Sequence, residues 1–184
     1  MGKKRVIVLG GGFGGVYTAM QLEKHFKKSK EWEVVLINRE NYFVYQPMLA
    51  EVVGGSVDLL DTVSSIRRLL PKTSLYVRDI EKIDTANKKV VLAPKFSHKE
   101  LELSYDHLVI SLGNVTNFQD IAGLHEHAMS FKNLADAVEI RNRVIDAVET
   151  AAGETDEDLK RAMLTFVIGG GGYSGVEVCA EVND

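Results

Sequence analysis

Cysteine is almost missing: one residue, Cys179, stands among 184, which excludes an internal disulfide and any zinc site built on several thiolates. That scarcity fits a reducing compartment. No apolar run approaches the roughly 18 residues of a membrane-spanning helix. The start does not read as a secretory leader either, because its first apolar stretch is a short strand-like run preceded by Lys3, Lys4 and Arg5. The chain by itself therefore reads as cytosolic, with a peripheral membrane role left open. Nor is there a basic excess. The 22 Lys and Arg face 26 Asp and Glu, a net charge of −4 with the signs interspersed, which argues against a nucleic-acid-binding surface. Lys24, Lys27, Lys28 and Lys30 form the one basic cluster and read as a solvated helix end. The apolar share of 45% is enough for a packed core.

What the chain does have is patterned glycine. Arg5 to Gly15 reads R-V-I-V-L-G-G-G-F-G-G, so the apolar residues Val6 to Leu9 run into Gly10, Gly12 and Gly15 and then into an amphipathic segment. Strand, tight turn, helix is the order of a dinucleotide-binding fingerprint. Gly10 allows the sharp turn, Gly12 lets the main chain approach a pyrophosphate, and Gly15 lets the helix pack closely on the strand. The helix start then offers N–H groups and the positive end of its dipole to the phosphates.

Val16, Ala19, Met20, Leu22 and Phe26 recur at helical spacing, and Val34 to Ile37 reads as a second buried strand, which completes a β-α-β unit. At the end of that strand the fingerprint wants an acid for the ribose hydroxyls, and Asn38 stands there, followed by Arg39 and Glu40. Asn38 can still hydrogen-bond a hydroxyl, without a carboxylate's strength. Arg39 is either a partner for the 2′-phosphate of NADP or a solvent-facing loop residue. The aromatic stretch Asn41 to Gly55 either walls a ring system off from water or plugs the core under a loop. Within it Pro47 stiffens a turn and keeps Gln46 out of helical angles.

Asp61 or Thr62 predicts the cap of a helix running to Leu70. Leu75 to Val77, Ile80 to Ile83, Val90 to Leu92 and Leu101 to Leu103 are expected as short strands of an accessory meander, with Asn87-Lys88-Lys89 as its hairpin turn. Asp106 to Gly113 predicts a further buried strand whose end, at Gly113, reaches the crevice of the first loop. His107 beside Asp106 is not read as catalytic, since neighbours on a strand face opposite ways. Asn133 to Ala152 predicts a long amphipathic helix capped by Asn133.

Leu164 to Ile168 repeats the opening logic: a buried strand is expected to run into G-G-G-G-Y-S-G, with Gly170, Gly172 and Gly175 in the same spacing ahead of a new helix. Two such loops imply two nucleotides and electron traffic between them. Glu177 at the start of that helix either faces a nicotinamide or is a carboxylate favoured by the dipole. Cys179, among apolar neighbours, reads as packing. The sequence stops at Asp184, about two turns into the helix, so a truncated chain is expected, with the activity belonging to the intact parent. The fold class expected is α/β. A Rossmann-like domain with a parallel sheet and accessory strands would span residues 1–125, and the start of a second nucleotide-binding domain residues 126–184.

The combination resembles the flavoproteins with two dinucleotide-binding domains, and within them the type II NADH dehydrogenases, single-subunit NADH:quinone oxidoreductases. The resemblance rests on V-I-V-L-G-G-G-F-G-G, N-Y-F-V-Y-Q-P-M-L, Y-D-H-L-V-I-S-L-G and F-V-I-G-G-G-G-Y-S-G-V-E, which together span nearly the whole chain. It implies FAD on the first loop, contacted by Gly10, Gly12, Phe13, Gly14, Gly15, Asn38 and Arg39. Gln46 and Pro47 would lie near the isoalloxazine, and Gly113 would line the same site. NADH would approach Gly170, Gly172, Tyr173, Ser174, Gly175 and Glu177. Asn38 departs from the family's usual acid. The implied partners are NADH and a quinone. A membrane touched through regions past residue 184, on the cytoplasmic face, and a second copy of the chain are further candidates. A sulfide:quinone oxidoreductase is the nearest rival; a dithiol reductase lacks its cysteine pair here, and a nucleotide-binding redox sensor is the rival without turnover.

Overall fold

A computed structural model of the chain describes residues 2–95 and 99–184. In chain order its strands are β1 (Lys4–Leu9), β2 (Trp32–Asn38), β3 (Tyr42–Val44), β4 (Val63–Ser65), β5 (Ser74–Val77), β6 (Ile80–Asp84), β7 (Lys89–Leu92), β8 (Leu101–Ser104) and β9 (His107–Ile110). Its helices are α1 (Phe13–His25), α2 (Leu49–Gly54), α3 (Ile66–Leu69), α4 (Leu124–His127), α5 (Leu134–Gly153), α6 (Glu157–Met163) and α7 (Tyr173–Asn183). Two compact units divide the chain: Met1–Val44 with Val63–Asn114, and Tyr45–Thr62 with Val115–Asp184.

The first unit is built on a sheet of order β5-β2-β1-β9 in which every pairing is parallel. Alternation on the two central strands decides the layers. Ile7, Leu9, Val35 and Ile37 point to one face, where Val90, Leu92 and Leu103 of the antiparallel β6-β7-β8 meander cover them. Val8, Val34 and Leu36 point to the other, against Ala19 of α1 and Ile66 and Leu70 around α3. Both faces are thus dry, which is why these strands read as continuous apolar runs. Truncating a fully buried member such as Leu36 to alanine would cost about 2–5 kcal/mol.

Three expectations for this unit are corrected. Leu75 to Val77 is not part of the meander: β5 pairs in parallel with β2, through Val35↔Ser74 to Asn38↔Val77, and so extends the main sheet. The helix expected from residue 62 to Leu70 shrinks to the single turn α3, because Val63–Ser65 pairs with Tyr42–Val44 as a strand and Ser65 becomes the cap. Asp106 to Gly113 yields only the four-residue β9, half-buried at best, since it lies at the sheet edge with β1 as its one neighbour. The meander turn is as expected: Lys88 takes a φ of +52°, and the Asp84 carboxylate accepts from the Asn87 backbone N–H and side-chain amide, each at 2.9 Å.

In the second unit, α5 begins with the expected cap. Asn133 Oδ1 accepts from the Asp136 N–H at 3.1 Å, and the Asp136 carboxylate accepts in return from the Asn133 N–H at 3.2 Å, a capping box. Helix α2 packs against α5 and α7. The buried strand expected over Leu164 to Ile168 does not form. Leu164 ends the turn after α6, residues 165–170 carry no ladder, and Val167 is 87% exposed. A strand exists only by pairing, and no strand stands beside this segment among the described residues of the unit.

Candidate functional site

The first glycine loop is fastened from three strands of its unit. After Leu9 the chain turns through Gly10, whose φ of +100° strains any residue with a side chain. A Cβ there would fall on the Ser111 carbonyl oxygen, and one at Gly15 on the Gly10 carbonyl oxygen. The Gly10 N–H donates to the Ile37 carbonyl at 2.8 Å, and the Gly11 N–H donates to Asn38 Oδ1 at 2.8 Å. Asn38 Nδ2 then donates to the Glu40 carbonyl at 3.0 Å. From β9's side, the Ser111 N–H and hydroxyl both donate to the Leu9 carbonyl, at 2.9 and 2.7 Å. Helix α1 starts on Gly12, which is extended and brings no side-chain cap, and a Cβ at Gly12 meets nothing within 4 Å. The loop is therefore rigid from below and open on the side from which a phosphate would approach the helix start.

Around this loop, Arg39 forms an ion pair with Asp79 at 2.7 Å on the surface, both side chains largely exposed. The aromatic stretch divides. Phe43 packs into the core and meets the Phe13 ring edge-on at 5.0 Å, whereas Tyr45 is 45% exposed. Burial, and then the Glu40 carboxylate, push the Tyr42 phenol above its usual range. Gly113 follows β9 with a φ of +73° and open space around it. Gly14 is exposed in the first turn of α1.

The second loop repeats the first in backbone detail. Gly170 takes a φ of +125°, Gly172 is again an extended cap without a side-chain partner, and a Cβ at Gly175 would meet the Gly170 carbonyl oxygen at 2.5 Å. The first helical bond matches too: Val176 N–H donates to the Gly172 carbonyl at 3.1 Å, as Val16 does to Gly12 at 3.0 Å. What differs is the support. A Cβ at Gly170 or Gly172 meets nothing within 4 Å. Gly170, Gly172, Ser174 and Gly175 line a cleft of about 650 Å³ whose other walls include Phe118, Phe131 and Arg143. Tyr173 and Glu177 are exposed on α7 and do not line that cleft.

Gln46 and Pro47 belong to the second unit, in a 3-10 turn over Gln46–Met48, where Gln46 Nε2 donates to the Lys132 carbonyl at 3.4 Å. Cys179 does not pack as expected. It is exposed, because Val178 takes the buried direction of α7 and the next residue points about 100° away. Three participants were not singled out from sequence: Gly11, Ser111 and Asp79. Ser111 alone left a signal, as a hydroxyl two residues before the glycine that ends its stretch. Among the described residues no cluster of His, Cys, Asp and Glu could hold a metal ion.

With this geometry in hand, the chain can be set beside known proteins. The sequence profile of the pyridine nucleotide-disulphide oxidoreductases matches residues 4–184. The mitochondrial external alternative NAD(P)H-ubiquinone oxidoreductase B2 of Arabidopsis thaliana is 36% identical over 191 residues, covering 99% of this chain and 32% of the relative. The NDH2 of Plasmodium falciparum, solved in complex with NADH, matches with a TM-score of 0.85 at 29% identity, over 97% of this chain and 36% of that one. The sulfide:quinone oxidoreductase of Aquifex aeolicus matches with a TM-score of 0.68 at 26% identity, over 79% of this chain and 32% of that one. The chain thus spans about a third of the length of these relatives.

Proposed function

The chain belongs to the pyridine nucleotide-disulphide oxidoreductase family, and from that premise we propose that the intact protein oxidises NADH through FAD and passes the electrons to a quinone. The observation that carries this reading is the duplication: two glycine loops with the same positive-φ turn, the same open glycine cap and the same close helix contact. One loop suits one dinucleotide, and two loops suit a pair that exchange a hydride.

In this reading residues 1–125 form the FAD domain and 126–184 begin the NADH domain. The cradle fits, since Gly12 leaves room for a pyrophosphate that a Cβ would crowd. Gly10, Gly12, Phe13, Gly14 and Gly15 hold the FAD phosphates at the start of α1. Asn38, besides holding the loop, and Arg39 contact the FAD, and Gly113 lines the same site. Gln46 and Pro47 lie against the flavin ring. Gly170, Gly172, Ser174 and Gly175 hold the NADH pyrophosphate, with Tyr173 and Glu177 toward its nicotinamide end. When bound, FAD supplies hydride acceptance and electron delivery, so no side chain has to act as nucleophile. The protein's task is to orient and to exclude water.

No helix among the described residues is long and apolar enough to cross a membrane. Peripheral attachment on the cytoplasmic face, through parts of the protein past residue 184, and pairing of two copies belong to the same proposal. The test is a visible spectrum of the purified intact protein followed by NADH oxidation with a soluble quinone. Flavin bands at about 370 and 450 nm and quinone-dependent NADH loss are expected. No NADH oxidation together with sulfide-dependent bleaching of the flavin would sink the proposal and favour the sulfide:quinone reading.

A further inference from the structure

The end of the first unit opposite its glycine loop is a basic surface built on stacked rings. Because β1, β2 and β9 run parallel, their starts lie together, with Lys4 paired to Trp32 and Val6 to His107. The Trp32 indole stacks on Phe26 at 4.8 Å and 8°, His107 leans on it at 5.6 Å, and Lys4 Nζ sits 5.5 Å over it. His25 meets the Phe26 edge at 5.1 Å. Lys3, Lys4, Lys24, Lys27, Lys28 and Lys30 are all exposed, and none has an ion-pair partner among the described residues.

Four acids stand in this part of the sequence, fewer than its six exposed lysines, and three of them are held by contacts within the unit. Glu33 pairs with Arg5 at 2.9 Å. Glu23 accepts from the Lys72 N–H and the Thr73 hydroxyl at 2.9 and 2.8 Å. Asp106 accepts from the Arg5 N–H at 2.7 Å. Glu31 is exposed with no such contact for its carboxylate. A chain of net charge −4 therefore presents an excess of positive charge at one end of this unit.

We propose that this face docks on an anionic phospholipid surface, a contact separate from any made by regions past residue 184. Two observations choose lipid over nucleic acid. The Trp32 faces are taken by Phe26 and Lys4, so no ring is free to stack a base. Arg5, the arginine of the patch, is turned inward to Glu33 and the Ser104 carbonyl, so no guanidinium fork is offered to a phosphodiester. What remains is a set of flexible ammonium groups around an amphipathic indole, which suits diffuse headgroup charge. The six residues of β1 separate this face from the glycine loop by about 20 Å, so docking leaves the nucleotide site open to solvent.

The test is vesicle co-sedimentation of the chain with phosphatidylcholine alone and with equal parts of phosphatidylcholine and phosphatidylglycerol, at low and high salt. Binding to the anionic vesicles alone, abolished by salt, is expected. The variant Lys24→Gln, Lys27→Gln, Lys28→Gln, Lys30→Gln should lose on the order of tenfold or more in partitioning. These side chains are exposed and unpaired, so its circular dichroism should match the parent. A control with Lys95→Gln, whose ammonium donates to the Val77 carbonyl at the glycine-loop end of the sheet, should bind like the parent. Equal binding to both vesicle types, absence of binding to the anionic ones, an unaffected four-lysine variant, an equally weakened control, or tighter binding to single-stranded DNA at the same salt overturns the proposal.

Discussion

The Gly11 N–H donates to Asn38 Oδ1 at 2.8 Å, so the tip of the first glycine loop is held by the residue that ends the neighbouring strand. The position that the fingerprint reserves for a ribose-binding acid is occupied here by a clamp. Its amide uses both ends: the oxygen on Gly11 and the nitrogen on Glu40. An asparagine can do this where a carboxylate, lacking a donor, could make only the first bond.

Asn38→Leu should therefore destabilise the chain by about 1–3 kcal/mol, because a part-buried N–H loses its partner. Asn38→Asp keeps that acceptor and should lose less. Urea unfolding of the two variants checks the order; equal losses would mean that the Gly11 contact contributes nothing.

The two turn glycines should respond unequally to alanine. At Gly10 the added Cβ meets backbone at Ser111 as well as a φ of +100°, so Gly10→Ala should cost several kcal/mol and abolish flavin retention in the intact protein. At Gly170 only the φ of +125° opposes it, and a loss of about 1–2 kcal/mol is expected. Thermal melts and the flavin-to-protein absorbance ratio distinguish the two.

The Asp84 carboxyl is held below its ordinary value, first by the Asn87 side-chain amide and then by the Asn87 backbone N–H. A depressed folded-state value stabilises the hairpin above the unfolded carboxyl's pKa, and the gain is lost as pH falls through the folded one. In an NMR titration, Asn87→Ala should move the Asp84 midpoint up part of the way, because the backbone bond survives. An unmoved midpoint would show that the side-chain contact is absent in solution.

Exposure of Cys179 predicts that a disulfide reagent labels the native chain as fast as the denatured one, within about tenfold. Cys179→Ser in the intact protein should leave NADH:quinone activity unchanged. Loss of a sulfide-dependent activity in that variant would support persulfide chemistry instead.

Much of the architecture was legible because it depends on short-range rules. The run Val6 to Leu9 into glycine, the spacing of Val16 and Ala19, and the Asn133 cap each specify an element from neighbouring residues alone. Where the reading failed, the deciding fact was a partner far away in the sequence. Leu75 to Val77 has the composition of any short strand, and only its pairing with Val35 to Asn38 puts it in the main sheet. Val63 to Ser65 left a helical pattern for a ladder with Tyr42 to Val44.

By itself, then, the sequence determined that the chain turns sharply at Gly10 and again at Gly170, where glycine carries a positive φ without strain, and that a helix packs closely at Gly15 and at Gly175. The tertiary structure decided what surrounds them. It gave Asn38 a clamping bond to the Gly11 N–H, tied Arg39 to Asp79, and left Leu164 to Ile168 without a ladder. Local backbone angles are set by the residues that carry them, whereas a side chain's partner and a strand's neighbour are set by packing across the fold.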